Sequence, residues 1–240
     1  MHTLRRKLHL NILRLLGREK VTFAPHGIVV SVPREADVKL RYDLARGRPY
    51  EAAEAKMIET CLRFGTPVIE LGGCLGIVSA LIRRQIGPDA THIVVEAKSE
   101  LARICAANAR IGATDAAVRV VVAAIDYSGT QTVSFSTGRT AHGGHVSTAG
   151  ELRVPAITLS SLAAAMPAGQ FALVCDIEGA ELAMVEREDA VLRRVDLLIL
   201  ETHPKSYPAG VADRDRMIAM IQSNGLRQVA QDKNVYAFKR

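Results

Sequence analysis

The stretch Pro67-Val-Ile-Glu70-Leu-Gly72-Gly73-Cys74-Leu-Gly76-Ile77 decides how the rest of the chain is read. An apolar run reaches an acid at Glu70, turns through glycines, and opens at once into the helical pattern Val-Ser-Ala-Leu-Ile-Arg-Arg of residues 78–84. Glycines let a backbone pass close beneath a ligand, and the helix start that follows offers unpaired N–H groups. The turn is therefore expected to be a nucleotide-type cradle built from Gly72, Gly73, Cys74 and Gly76. The dinucleotide fingerprint G-x-G-x-x-G does not fit, because its second and third glycines would fall on Cys74 and Ile77. What fits is acid-x-Gly-x-x-x-Gly, from Glu70 to Gly76. A carboxylate beside a pyrophosphate repels it, whereas one beside a sulfonium and an ammonium group attracts both.

A second acid supports the cationic ligand. The apolar run Thr91-His-Ile-Val-Val-Glu96 ends on Glu96, a little beyond the roughly 20-residue offset at which an acid meets cofactor ribose hydroxyls. The competing reading of Glu96 is a helix-capping acid ahead of Ser99. The acids and glycines together favour S-adenosyl-L-methionine over a dinucleotide. Glu70, Glu96, the neighbouring Ala97, and Ala124 with Ile125 complete the expected cofactor-binding set.

Outward from the cradle the pattern alternates: strand 67–71, helix 75–86, strand 91–96, helix 99–110 and strand 118–124. It resumes with strand 171–176, helix 179–189, strand 195–201 and helix 212–223. Such alternation predicts an α/β fold, a mostly parallel sheet with helices on both faces. The last two strand-like runs, 226–231 and 234–239, are separated only by Asp-Lys and are expected to pair as an antiparallel hairpin. Ahead of the cradle lie a helix over 51–64 and, before it, an extension. Residues 1–49 read as a basic amphipathic helix and a short hairpin around Pro25-His26-Gly27, leaving 50–240 as the main domain. Leu4, Leu8, Ile12, Leu15 and Leu16 recur at helical spacing. Such a helix packs on the body or on a second subunit, or attaches to an anionic surface.

Composition narrows the function classes. Apolar residues make up 48% of the 240, enough for a packed core, but aromatics reach only 4% with no Trp, which argues against stacking platforms for single-stranded nucleic acid. Residues 1–20 hold a net +5 of the chain's +6, so the remainder is nearly neutral and no nucleic-acid partner is expected. Four cysteines without CxxC spacing read as reduced thiols of a cytoplasmic protein. No apolar run approaches the roughly 18 residues of a membrane span.

Residues 136–150 are small, polar and glycine-rich, and are expected to form a mobile lid; His142 and His145 within them are weak metal candidates. In an open α/β sheet the ligand lies beyond the carboxyl ends of the strands. There Asp176-Ile-Glu178-Gly-Ala-Glu181 ends one strand and Glu201-Thr-His203-Pro ends another. Glu181 is read as complementing the positive end of the following helix. Asp176 is read as functional.

These residues carry a resemblance. From about Tyr50 to Tyr207 the chain resembles the FkbM-type methyltransferases, a class I S-adenosylmethionine-dependent family with a Rossmann-like fold. The matching stretches are Val68–Gly76, Glu96-Ala97, Asn108, Asp176–Glu181 and Leu198–His203. The family often has Asn where this chain has Cys74, and Lys where it has Val174. The resemblance implies methyl transfer to a hydroxyl, frequently on a sugar or a natural-product scaffold. An alcohol needs a base, for which Asp176 and His203 are the candidates, with Glu178 and Glu201 positioning or tuning them. Direct base catalysis ranks ahead of a divalent metal. The alternatives are a non-catalytic binding or assembly protein that keeps the fold, and a nucleic-acid methyltransferase.

Overall fold

The computed structural model describes residues 2–17, 19–34, 36, 38–138 and 144–240. The chain divides into two units, Met1–Ala52 and Ala53–Arg240. In the first, helix α1 (His2–Leu15) precedes an antiparallel pair, β1 (Thr22–Phe23) and β2 (Val30–Ser31), and helix α2 (Val38–Ala45). Sequence reading misses α2, because charged residues interrupt its apolar period. Among them Arg41 is turned inward, where it meets Glu19 at 2.8 Å.

The second unit opens with α3 (Ala52–Cys61) and then builds β3 (Val68–Leu71), α4 (Ile77–Ile86), β4 (His92–Glu96), α5 (Ser99–Ala109) and β5 (Val118–Val122). Four short strands follow: β6 (Ala124–Ile125), β7 (Thr132–Ser136), β8 (His145–Val146) and β9 (Leu152–Ile157). The alternation then resumes with α6 (Leu159–Ala163), β10 (Phe171–Cys175), α7 (Glu181–Arg187), α8 (Asp189–Leu192) and β11 (Val195–Glu201). A 3-10 turn (Pro204–Ser206), α9 (Val211–Ser223), β12 (Arg227–Asp232) and β13 (Val235–Lys239) complete it.

Among the described residues seven strands form the main sheet in the order β12-β13-β11-β10-β3-β4-β5. Strands β11, β10, β3, β4 and β5 run parallel, and β13 inserts antiparallel between β11 and β12. This is a Rossmann-like α/β fold with the antiparallel C-terminal hairpin that the sequence predicts. Strand order reverses between β3 and β10, the position at which open α/β sheets bind ligands.

Both faces of the sheet are covered, so its strands read as continuous apolar runs. Ile69, Leu71, Ile93, Val95, Leu173 and Cys175 join α7 and α9 residues such as Met184, Met217 and Ile221 in one core. Val94, one residue out of phase, packs on the other side with Cys105 and Ala109 of α5. Each fully buried Leu or Ile contributes about 1.5–3 kcal/mol. Among the described residues no helix is long and apolar enough to cross a membrane.

The segment expected to form a lid, 136–150, connects β7 to β9 and, among the described residues, contributes the two-residue strand β8 to a small sheet; 139–143 lie outside the described residues. Among the described residues β6, β9, β7 and β8 form this sheet in that order, closed by its own cluster of Ala124, Val133, Phe135 and Val154. β7 and β9 are the two short strands expected on either side of the loop, whereas β6 and β8, two residues each, are too short to read from sequence. His142 lies outside the described residues.

Candidate active site

The glycine turn after β3 is shaped by the protein around it. Gly72 adopts φ +93, and a Cβ there would lie 1.8 Å from the Asp176 carbonyl oxygen. A Cβ on Gly73 would meet Val94 Cγ1 at 2.5 Å, and one on Gly76 (φ +73) would meet the Cys105 carbonyl oxygen at 2.7 Å. These positions must lack side chains because β4, α5 and the end of β10 press against the turn. Cys74 also takes a left-handed conformation, φ +46, which Asn tolerates better than Cys. The Asn108 amide donates to the Leu75 carbonyl at 2.7 Å, fixing the turn to α5.

Glu70 does not face the cradle as the sequence reading supposes. Its neighbours Ile69 and Leu71 point into the α7–α9 core, so the pleat sends Glu70 to the opposite face. There it is 2% exposed, accepts from Ser79 Oγ at 2.9 Å and lies 2.9 Å from His92 Nε2. It ties β3 to α4 and β4. Glu96 is the acid at the rim: its carboxylate accepts from the Cys74 N–H and the Lys98 N–H, both at 2.8 Å. Burial raises its pKa, against the lowering effect of those two N–H groups. Glu96 thus ties the glycine turn to Lys98, the residue ahead of α5, and no side chain caps that helix. Ala97 and Ala124 belong to the small-sheet cluster, so the Ala124 side chain is committed to packing.

The turn after β10 has the opposite character. The Asp176 N–H donates to the Leu71 carbonyl at 2.9 Å, so the two turns are in backbone contact. Glu178 takes φ +53 and Gly179 φ +115. A Cβ on Gly179 would lie 2.7 Å from Ser206 Cβ, so its absence lets the segment bearing His203 approach. His203 Nε2 is 3.5 Å from both Asp176 Oδ1 and Glu178 Oε2. Its Nδ1 lies 2.9 Å from Glu181 Oε1.

Glu181 does far more than complement a helix end. Fully buried, it accepts from the N–H groups of Ile177 (3.2 Å) and Gly179 (3.1 Å) and from the Tyr207 hydroxyl (3.0 Å), besides holding His203. The Tyr207 oxygen in turn accepts the His203 N–H at 3.0 Å. Burial, then Glu181, pushes the Tyr207 phenol up. Sequence reading misses this bracket, since the spacing of Glu181 suits a plain capping acid.

Burial alone would lower the His203 pKa. The hydrogen bond and charge of Glu181, with the charges of Asp176 and Glu178, outweigh it and raise the imidazole to about 9. The three carboxylates around it thus favour the charged imidazolium over the neutral imidazole. Glu201 ends β11 in register with Val235, two residues short of His203, and is not part of the cluster. Asp176, Glu178 and His203 each offer one ligand atom, and the three atoms lie within 4.8 Å of one another.

Beside the cluster lies a cavity of about 230 Å³ whose lining includes Ile125, Tyr127, His145, Glu178, Ala183 and Ser206. It joins the small sheet to the acid turn. The Methyltransferase FkbM domain matches residues 77–227, more than half of the chain. The chain belongs to the FkbM methyltransferase family. The family match covers Glu96, Asn108, the Asp176–Glu181 turn and His203, and begins just past the glycine turn.

No curated protein matches the chain of this FkbM methyltransferase. Among solved structures, Aeropyrum pernix fibrillarin in complex with S-adenosyl-L-methionine is 13% identical, over 78% of this chain and 73% of its own, at a TM-score of 0.46. An O-methyltransferase from Bacillus cereus in complex with SAH is 14% identical, over 80% and 82%, at 0.47. The O-methyltransferase TomG from Streptomyces achromogenes, in complex with SAM, is 15% identical, over 79% and 78%, at 0.46. The family assignment rests on the domain match and not on these distant likenesses.

Proposed function

We propose that the chain is a S-adenosylmethionine-dependent O-methyltransferase acting on a hydroxyl of a sugar or small natural-product-like acceptor. One observation carries the reading. The Gly72 turn lies directly under the backbone of Asp176, so a donor cradle and an acidic strand end share one crevice. Gly72, Gly73, Cys74, Gly76, Glu96 and Ala97 would hold the donor, with Glu96 toward its ribose hydroxyls. Ile125 sits on the acceptor side, because it lines the cavity beside Glu178. The bound sulfonium supplies an activated methyl group.

The residues then have a limited task, to align the two partners and to take one proton. Asp176 is the base in this reading. His203, charged at neutral pH, holds Asp176 and Glu178 in place, and Glu181 and Tyr207 hold His203. Glu178 faces the cavity and orients the acceptor. The same three ligand atoms could hold a divalent cation that lowers the hydroxyl pKa instead. Titration of the protein with manganese, read by electron paramagnetic resonance, separates the two: bound manganese that restores chelator-treated activity would replace direct base catalysis.

The test of the whole reading is calorimetry with S-adenosylhomocysteine, followed by transfer of labelled methyl to a panel of hydroxylated compounds. Binding and transfer are expected. Absence of binding at millimolar ligand would sink the cofactor assignment. Binding without transfer to any acceptor would favour the non-catalytic alternative.

A further inference from the structure

The first 52 residues concentrate two properties, net positive charge and exposed large hydrophobic side chains. They hold eleven Lys and Arg against five Asp and Glu, the whole of the chain's net +6. They also expose seven of the fourteen exposed large hydrophobic residues among the described ones. Five of these belong to α1 and the residue just after it.

Helix α1 has two apolar faces. One is used: Leu10 is buried, and His9 meets the Tyr42 ring of α2 edge-on at 5.2 Å. The other carries Leu4, Leu8, Ile12 and Leu15, spaced along one stripe and between 46% and 86% exposed, with Leu16 continuing it. Exposed leucines at this density mark an interaction surface. Arg5, Arg6, Lys7 and Arg14 are the charged side chains of this helix, which has no acid.

That charge decides what fits the stripe. A second copy docked on the same stripe would bring Arg5, Lys7 and Arg14, which flank it, toward those of the partner helix, and the helix has no carboxylate to offset them. An anionic lipid surface satisfies both features. Leucine side chains enter the boundary between headgroups and acyl chains, and the long Arg and Lys stems reach back to the phosphates. We propose that α1 seats the protein peripherally on an anionic lipid surface, lying in the interface without crossing it.

Co-sedimentation of the full chain with vesicles tests this. Binding is expected to vesicles containing phosphatidylglycerol, to be absent with pure phosphatidylcholine, and to weaken as salt rises. Leu8→Glu with Ile12→Glu is expected to reduce binding by about tenfold or more, with circular dichroism unchanged because both side chains are exposed. Arg5→Gln with Lys7→Gln and Arg14→Gln is expected to lose a comparable factor, about tenfold or more, together with most of the salt dependence. Failure of the full chain to bind phosphatidylglycerol vesicles overturns the proposal. So does wild-type binding by the Leu8→Glu, Ile12→Glu variant. Dimers that this variant abolishes in sedimentation equilibrium, without vesicle binding by the full chain, would assign the stripe to a second copy.

Discussion

Two strand-to-helix turns meet in the crevice, and they are built on opposite plans. After β3 the turn is Gly-Gly-Cys-Leu-Gly, its acid Glu70 is sealed beneath it, and it presents backbone. After β10 the turn is Asp-Ile-Glu-Gly-Ala-Glu, and it presents Asp176 and Glu178 with His203 between them. Both spend a strained non-glycine residue, Cys74 and Glu178, at an estimated cost of about 1–3 kcal/mol each. The difference teaches how the work is divided. In the proposed function the glycine turn shapes the donor site with backbone, and the turn with three carboxylates around an imidazole takes the proton.

The sharpest way to break that division is a pair of substitutions. Asp176→Asn is expected to lower kcat by roughly 10²- to 10⁴-fold while leaving S-adenosylhomocysteine affinity within about twofold. Glu96→Ala is expected to do the reverse, removing cofactor binding in calorimetry. If both variants lose affinity and turnover alike, the two turns do not have separate roles.

Next in size is the contact between the turns. Gly72→Ala places a methyl group against the Asp176 carbonyl and is expected to destabilise by about 3 kcal/mol or more in chemical denaturation, with activity lost as well. Gly179→Ala meets the more yielding Ser206 side chain and should cost about 1–2 kcal/mol.

The acid turn should respond to pH above neutrality. The folded-state pKa of His203 is raised to about 9 from the usual 6.5, so its contribution to stability is fully present below pH 6.5. That contribution is lost as pH rises through about 9. Thermal unfolding from pH 6 to 10 should show the decline, and His203→Gln should flatten it. A decline of equal size in the variant would place the titration elsewhere. The smallest effect belongs to the glycine turn: Cys74→Asn should stabilise by about 1 kcal/mol, since Asn adopts the left-handed conformation more readily.

Much of this architecture is legible in residue order. Continuous apolar runs such as Val68–Leu71 and Phe171–Cys175 report strands buried on both faces, and the helices between them report the crossovers. Asp176 is legible because an acid at the end of such a run has no packing reason to be there. Glu70 reads wrongly for a specific reason. Spacing says that an acid precedes the glycines, but the pleat decides which face it takes, and the pleat phase is set by Ile69 and Leu71 in the core. Glu181 and Tyr207 read as ordinary, because the bracket they form spans 26 residues and exists only when β10 and β11 lie side by side.

Residue types and their spacing thus determine by themselves the α/β class, the parallel order with its closing hairpin, the position of the glycine turn and the acid at 176. These follow from local rules: burial period, backbone freedom of glycine, and charge at a strand end. Tertiary structure decides that Glu70 is a brace and Glu96 the rim acid. It also decides that His203 is held among Glu181, Asp176 and Glu178, and that part of the glycine-rich segment pairs as β8 with β7. Each of these depends on which groups from distant parts of the chain become neighbours, since a pKa, a pleat face and a close backbone contact are set by surroundings that spacing does not record.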